Sequence, residues 1–155
     1  MELSTDIALI IQLDWQTKFI RRWIKRPKVW PNMHDLSTVT NVTYVISKTS
    51  HEEKNLTEST EFRYSFAHIE RKIVSLQSKS QRLVYYIAKS IFNRWIKPID
   101  SNVVTSFMLK NTMLWMCEKY SPENEIWGSE IETKKILNII SKLYSNLLKN
   151  LKENY

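Results

Sequence analysis

One glycine, Gly128, stands in a chain of 155 residues, and that scarcity limits how the chain can handle phosphate. A P-loop or a dinucleotide fingerprint needs several glycines, because only backbone without Cβ atoms lets successive N–H groups close on the oxyanions. Neither loop can be built here, so nucleotide chemistry would have to rest on side chains. The charge balance suits that role: 23 Lys and Arg against 16 Asp and Glu give a net charge of +7, which favours phosphate-bearing partners. Hydrophobic residues at 43% and charged residues at 25% are those of an ordinary globular domain with its own core. Apolar runs such as 83–88 are far too short to span a bilayer, and Glu2 and Asp6 stand where a signal peptide would be basic. Cys117 has no second cysteine to pair with, and the histidines are scattered, which fits a reducing, cytoplasmic setting.

Periodicity divides the chain into strands followed by helices. From Asp6 to Leu13 the pattern alternates, with Ile7, Leu9, Ile11 and Leu13 on one face and Asp6, Ala8, Ile10 and Gln12 on the other. Phe19, Ile20, Trp23 and Ile24 then recur at helical spacing until Pro27 and Pro31. Val42 to Lys48 is rich in β-branched and aromatic residues and predicts a second strand; 49–60 predicts a loop, and Phe62 to Tyr64 a short extended stretch. Four helical stripes follow. They are Ile69, Ile73 and Leu76; Leu83, Ile87, Ile91 and Trp95; Phe107, Met108, Leu114 and Trp115 within Val103 to Tyr120; and Ile136, Ile140, Leu143 and Leu147 after Pro122. The predicted class is α+β, a sheet followed by a helical bundle, divided into 1–60 and 61–155.

Three segments, LSTDIALII (Leu3 to Ile11), EFRYSFAHIERKIV (Glu61 to Val74) and VVTSFMLKNTMLWMCEKYSPENEIW (Val103 to Trp127), resemble the family of cyclic GMP-AMP synthase and the male-abnormal (Mab) proteins. They occur in the family's order at compatible spacing, and the resemblance extends over nearly the whole chain. The first resembles the strand bearing the third catalytic aspartate, and the second a segment that leads into a helix. The third resembles the helix of the serine-tyrosine-histidine-x-lysine-threonine motif. The resemblance implies the remnant of a nucleotidyltransferase sheet and a helix-hairpin-helix-like C-terminal lobe. It implies an enzyme that senses double-stranded RNA or DNA in innate immunity and makes a cyclic dinucleotide from ATP and GTP with Mg or Mn ions. The family's glycine-serine turn and paired carboxylates lie upstream of its third aspartate, and only five residues precede Asp6. The chain is therefore read as the C-terminal half, a fragment inactive alone. SLQSKSQ (Ser75 to Gln81) holds no Cys or His where the vertebrate enzyme carries its zinc insertion, so no zinc is implied.

The resemblance assigns roles residue by residue, and each has a plainer competitor. Asp6 matches the catalytic, metal-binding aspartate; pattern alone reads it as a strand-edge acid facing water. Arg63 and Ser65 match nucleotide contacts, and a guanidinium suits bidentate phosphate recognition; Ser65 equally suits a helix N-cap. Ala67 replaces a second family serine, and Glu70 matches a family acid near the substrate or is a solvated helix acid. Lys48 matches a lysine near the substrate or is a solvated strand end. Ser106 and Lys110 match phosphate contacts on the third segment, against an ordinary polar helix face. Phe107 stands where the family has a base-stacking tyrosine and keeps the ring without the hydroxyl. Met108 replaces a histidine and Tyr85 a phosphate-binding lysine, and for these two and Phe107 core packing competes. Arg21, Arg22, Lys25 and Arg26, with Lys28 and interleaved Trp23 and Trp30, form a nucleic-acid surface or a solvated face whose tryptophans enter the core. Cys117 is read as a small buried hydrophobe, and His34, His51 and His68 share no ligand spacing. Two other readings stand beside the enzyme: a non-catalytic signalling or developmental branch of the same fold, and a stand-alone basic helical domain binding RNA or DNA.

Overall fold

The computed structural model describes residues 10–48, 61–99, 104–127 and 132–154. It is α+β: a three-stranded antiparallel sheet in the order β1-β2-β3, and six α-helices. The strands are β1 (Ile10–Leu13), β2 (Thr43–Lys48) and β3 (Glu61–Ser65). The helices are α1 (Lys18–Lys25), α2 (Met33–Thr40), α3 (Ala67–Leu76), α4 (Lys79–Ile91), α5 (Ser106–Lys119) and α6 (Thr133–Asn154). Two compact units divide the chain, Met1–Arg26 with Met33–Ile73, and Pro27–Asn32 with Val74–Tyr155. The boundary expected at 60/61 falls between β2 and β3, which are hydrogen-bonded neighbours, and the compact units part after Ile73.

In the first unit, Thr17 opens α1 by accepting the Ile20 N–H on its hydroxyl at 3.2 Å, which satisfies one of the helix's unpaired donors. α2 has no counterpart among the predicted elements. Its sequence, MHDLSTVT, offers one strong apolar anchor, Leu36, which is fully buried, and two serine or threonine hydroxyls that bond back to helix carbonyls. Thr43 begins β2 by donating to the Trp15 carbonyl at 2.7 Å, tying the sheet to the α1 entry.

The second unit is helical, and two of its buried stripes differ from the expected ones. On α4 the buried residues are Gln81, Val84 and Ala88, continued by Phe92. The expected stripe of Leu83, Ile87 and Ile91 is only half-buried, and Trp95 is 66% exposed. The apolar residues of α4 occupy two adjacent stripes, and the packed one contains a glutamine and an alanine that hydropathy does not favour. Gln81 is used by the capping box with Ser78 (3.1 and 2.9 Å), and small Ala88 presents its carbonyl to the Tyr144 hydroxyl of α6 at 2.7 Å. Past Ile91 the chain takes a π-turn, Phe92–Ile96, with the Lys97 N–H donating to the Phe92 carbonyl.

On α5 the packed stripe is Leu109, Thr112, Met113, Met116 and Cys117, whereas Phe107 and Trp115 are more than half exposed. Thr112 can be buried because its hydroxyl donates to the Met108 carbonyl at 3.0 Å. The α6 stripe agrees with expectation through Ile140, Leu143 and Leu147, with Ile139 added. Trp127 is buried and donates its indole N–H to the Tyr120 carbonyl, closing the end of α5.

Candidate functional site

Strand register decides which residues share a face, because residues directly opposite in an antiparallel pair point the same way. Ile10 lies opposite Ile46, and Ile46 opposite Arg63; Gln12 lies opposite Tyr44, and Tyr44 opposite Ser65. Arg63 and Ser65 therefore stand on the face shared by Ile10 and Gln12, Arg63 exposed and Ser65 half-buried. The Tyr44 hydroxyl donates to Gln12 Oε1 at 3.0 Å, and its ring meets the His68 ring edge-on at 4.6 Å. His68 Nε2 lies 3.0 Å from the Val39 carbonyl, a contact that requires the proton on Nε2, while Nδ1 is buried with no partner. One side-chain bond, Tyr44 to Gln12, thus crosses the row that ends at Ser65, and Arg63 ends the neighbouring apolar row of Ile10 and Ile46.

The opposite face is aromatic. Tyr64, 43% exposed, meets Trp15 at 6.4 Å and Phe19 at 6.1 Å, and stacks on Phe66 at 6.4 Å. Ser65 is the last residue of β3, and Phe66 occupies the position before α3, accepting the Glu70 N–H at 2.9 Å. The cap role expected of Ser65 thus falls one residue too early. Glu70 is half-buried in the first turn of α3, and Lys48 ends β2 opposite Glu61.

α1 presents its basic residues outward. Ile20 is buried, Trp23 and Ile24 are half-buried, and Arg21, Arg22 and Lys25 are exposed, with Arg26 half-buried at the C-cap. Trp23 is half-buried while Arg21, Arg22 and Lys25 face solvent, as a solvated helix face requires. Trp30 is buried in the second unit, where the Val29 N–H donates to the Glu118 carbonyl at 3.2 Å.

α5 brings together the residues of the third family-like segment. Thr105 caps it, accepting the Met108 N–H at 3.4 Å. Ser106 is exposed in the first turn, Phe107 is 57% exposed, and Lys110 places Nζ 5.0 Å from the Phe107 centroid. The core role considered for Phe107 is therefore excluded: its ring faces solvent and carries a cation. Met108 is half-buried. Tyr85 is half-buried too, and desolvation, aided by the neighbouring Tyr86, raises its phenol above the ordinary tyrosine value.

Cys117 is buried as expected. Desolvation pushes its thiol up to about 12 against the hydrogen bond from Gln77 Nε2 at 3.4 Å, with Glu118 adding to the rise. Asp6 and His51 lie outside the described residues. Among the described residues no group of three or more His, Cys, Asp or Glu could hold a metal ion, and no helix is long and apolar enough to cross a membrane. Arg63 and Ser65 belong to the first compact unit, and Ser106, Phe107 and Lys110 to the second. Neither a scan of protein-family models nor a search of curated proteins returned a match to this chain.

Proposed function

We propose that this chain is a nucleotide-binding part of a protein of the cyclic GMP-AMP synthase and Mab type, handling ATP or GTP through side chains. The observation that carries the reading is the register that sets Arg63 and Ser65 on one sheet face. The resemblance assigns the carboxylate of the site to Asp6. A guanidinium and a hydroxyl along one face suit recognition of the oxygens of a triphosphate. The second unit by itself carries Ser106, Phe107 and Lys110, to which the resemblance assigns nucleotide contacts, and the Phe107 ring, open to solvent, is able to stack. One carboxylate supplies at most two of the six oxygens that a magnesium ion takes. The reading therefore commits this chain to binding, with turnover reserved for a protein that also carries the family's paired carboxylates.

Exposed Arg21, Arg22 and Lys25 favour a nucleic acid as the activating partner, held by phosphate contacts without sequence preference. Thermal shift with ATP and with GTP, each with and without magnesium, tests the nucleotide claim. Stabilisation by either nucleotide that is lost in Arg63→Ala supports it, and stabilisation that survives Arg63→Ala removes Arg63 from the site. Magnesium-dependent product from this chain would contradict a role limited to binding. The non-catalytic branch of the fold is favoured if the protein with paired carboxylates binds nucleotide and still makes no product.

A further inference from the structure

Within the first unit the aromatic face of the sheet runs into a basic face of α1. Trp15, Phe19, Phe62 and Tyr64 are 47%, 48%, 49% and 43% exposed. Phe62 and Tyr64 lie on one face of β3, about 7 Å apart along the strand. Tyr64 meets Trp15 at 6.4 Å with the ring planes at 90°, and Phe19 at 6.1 Å. An edge-on contact covers at most one face of a ring, so Trp15, whose one ring neighbour among the described residues is Tyr64, keeps its other face open. Phe62 has no ring neighbour among the described residues.

Through Phe19 this face joins a row of cations. Lys18, Arg21, Arg22 and Lys25 recur at the spacing of a single helical face, and all four are exposed. They cover about 10 Å of helix axis, the length of about three phosphates of one strand at about 3.4 Å each. Lys18 Nζ stands 5.5 Å from the Phe19 centroid, where the rings and the cations meet. α1 carries no acid, and among the described residues no ion pair engages these four cations. The acid nearest in sequence, Asp14, accepts a hydrogen bond from Gln12 Nε2 at 3.1 Å. A neutral protein surface laid on the rings would desolvate these charges without a partner, whereas a polyanion pairs with them. A duplex meets only half of the surface, because its base faces are hidden in the stack and the rings find nothing to stack on. A strand with free bases meets both halves.

We propose that α1 and the aromatic sheet face bind a single-stranded nucleic acid, its phosphates along the four cations and its bases on Trp15, Phe62 and Tyr64. The proposal rests on the reading of α1 as a nucleic-acid surface and adds the form of the strand. It uses neither Arg63 nor Ser65, which stand on the opposite sheet face.

The test is fluorescence anisotropy of a labelled oligouridine, and of an RNA duplex of the same length, titrated with the 155-residue chain. The oligouridine is expected to bind more tightly than the duplex. Trp15→Leu/Phe62→Leu should weaken the oligouridine by at least about fivefold, the lower end of what one stacked base contributes, and leave the duplex unchanged. Phe62→Trp, which keeps a ring, should not weaken it. Reversing Arg21, Arg22 and Lys25 to Glu should abolish both. Unchanged oligouridine affinity in the leucine variant, with its circular dichroism intact, would overturn the proposal and leave the reading of α1 standing. Duplex binding as tight as that of the oligouridine would do the same. Binding of neither would overturn both. Self-association lost in the leucine variant, with oligouridine affinity unchanged, would make the rings a protein-docking face instead. Should the double variant lose its fold, Phe62→Leu alone gives the same comparison.

Discussion

Burial makes Cys117 chemically quiet, and its thiol near 12 gives stability a pH dependence with a definite sign. In the folded chain the neutral thiol is favoured, so its contribution is fully present below the ordinary thiol value. It is lost as pH rises through that value toward about 12, because the unfolded chain ionises first. We predict that the native protein reacts slowly with a chromogenic disulfide reagent at mildly alkaline pH and rapidly in denaturant. The denaturation midpoint should also fall more steeply with alkaline pH than in Cys117→Ala; equal slopes would contradict the assignment. Three tyrosines divide by surroundings. Desolvation raises Tyr85 and Tyr144, whereas at Tyr120 it is outweighed by the hydrogen bond from Lys142 and the charges of Lys142 and Lys119, which lower the phenol. An ultraviolet titration should therefore lose its earliest phenol in Tyr120→Phe and its late ones in Tyr85→Phe and Tyr144→Phe. At this scale residue type alone was enough for Cys117, an apolar neighbourhood on a helix. The same logic failed at Phe107, where a ring that reads as core stands in solvent beside Lys110.

Helices and strands were largely legible, and the faces they bury were less so. Alternation in Ile10–Leu13, the β-branched and aromatic residues of Thr43–Lys48 and the helical spacing of α1 and α6 marked those elements. On α4 and α5 two apolar stripes run side by side, and the buried one is chosen by features that hydropathy ranks low. These are the capping-box role of Gln81, the small Ala88 under Tyr144, and the internally bonded Thr112. Phe92→Ala should therefore cost about 3–5 kcal/mol, the usual range for a buried phenylalanine, and Trp95→Ala about 0.5 kcal/mol or less. Denaturant titration of both separates the observed stripe from the expected one, and a reversed order would contradict the packing of α4. Ser78→Ala removes the reciprocal cap of α4 and should cost about 1 kcal/mol.

For the whole molecule, the α+β class follows from the presence of both period-two and period-3.6 patterning, although α1 and α2 stand between β1 and β2 rather than after the sheet. The grouping into Met1–Arg26 with Met33–Ile73, and Pro27–Asn32 with Val74–Tyr155, does not. It depends on β3 pairing with β2 and on the Val29–Glu118 bond, both long-range contacts with no local signature. The register is also what gives the nucleotide reading its geometry, since a one-residue slip of β3 would send Arg63 and Ser65 to the aromatic face of Tyr64. Charge reversal at Arg21, Arg22 and Lys25 should abolish salt-dependent retardation of double-stranded RNA or DNA in a gel and leave nucleotide-induced stabilisation unchanged. The most direct measurement of the central claim is amide and side-chain NMR of the chain titrated with ATP. The account predicts saturable shifts at Arg63 and Ser65 and on the Gln12–Tyr44 row beside them. Shifts confined to the Tyr64 face, or none on β3, would contradict it.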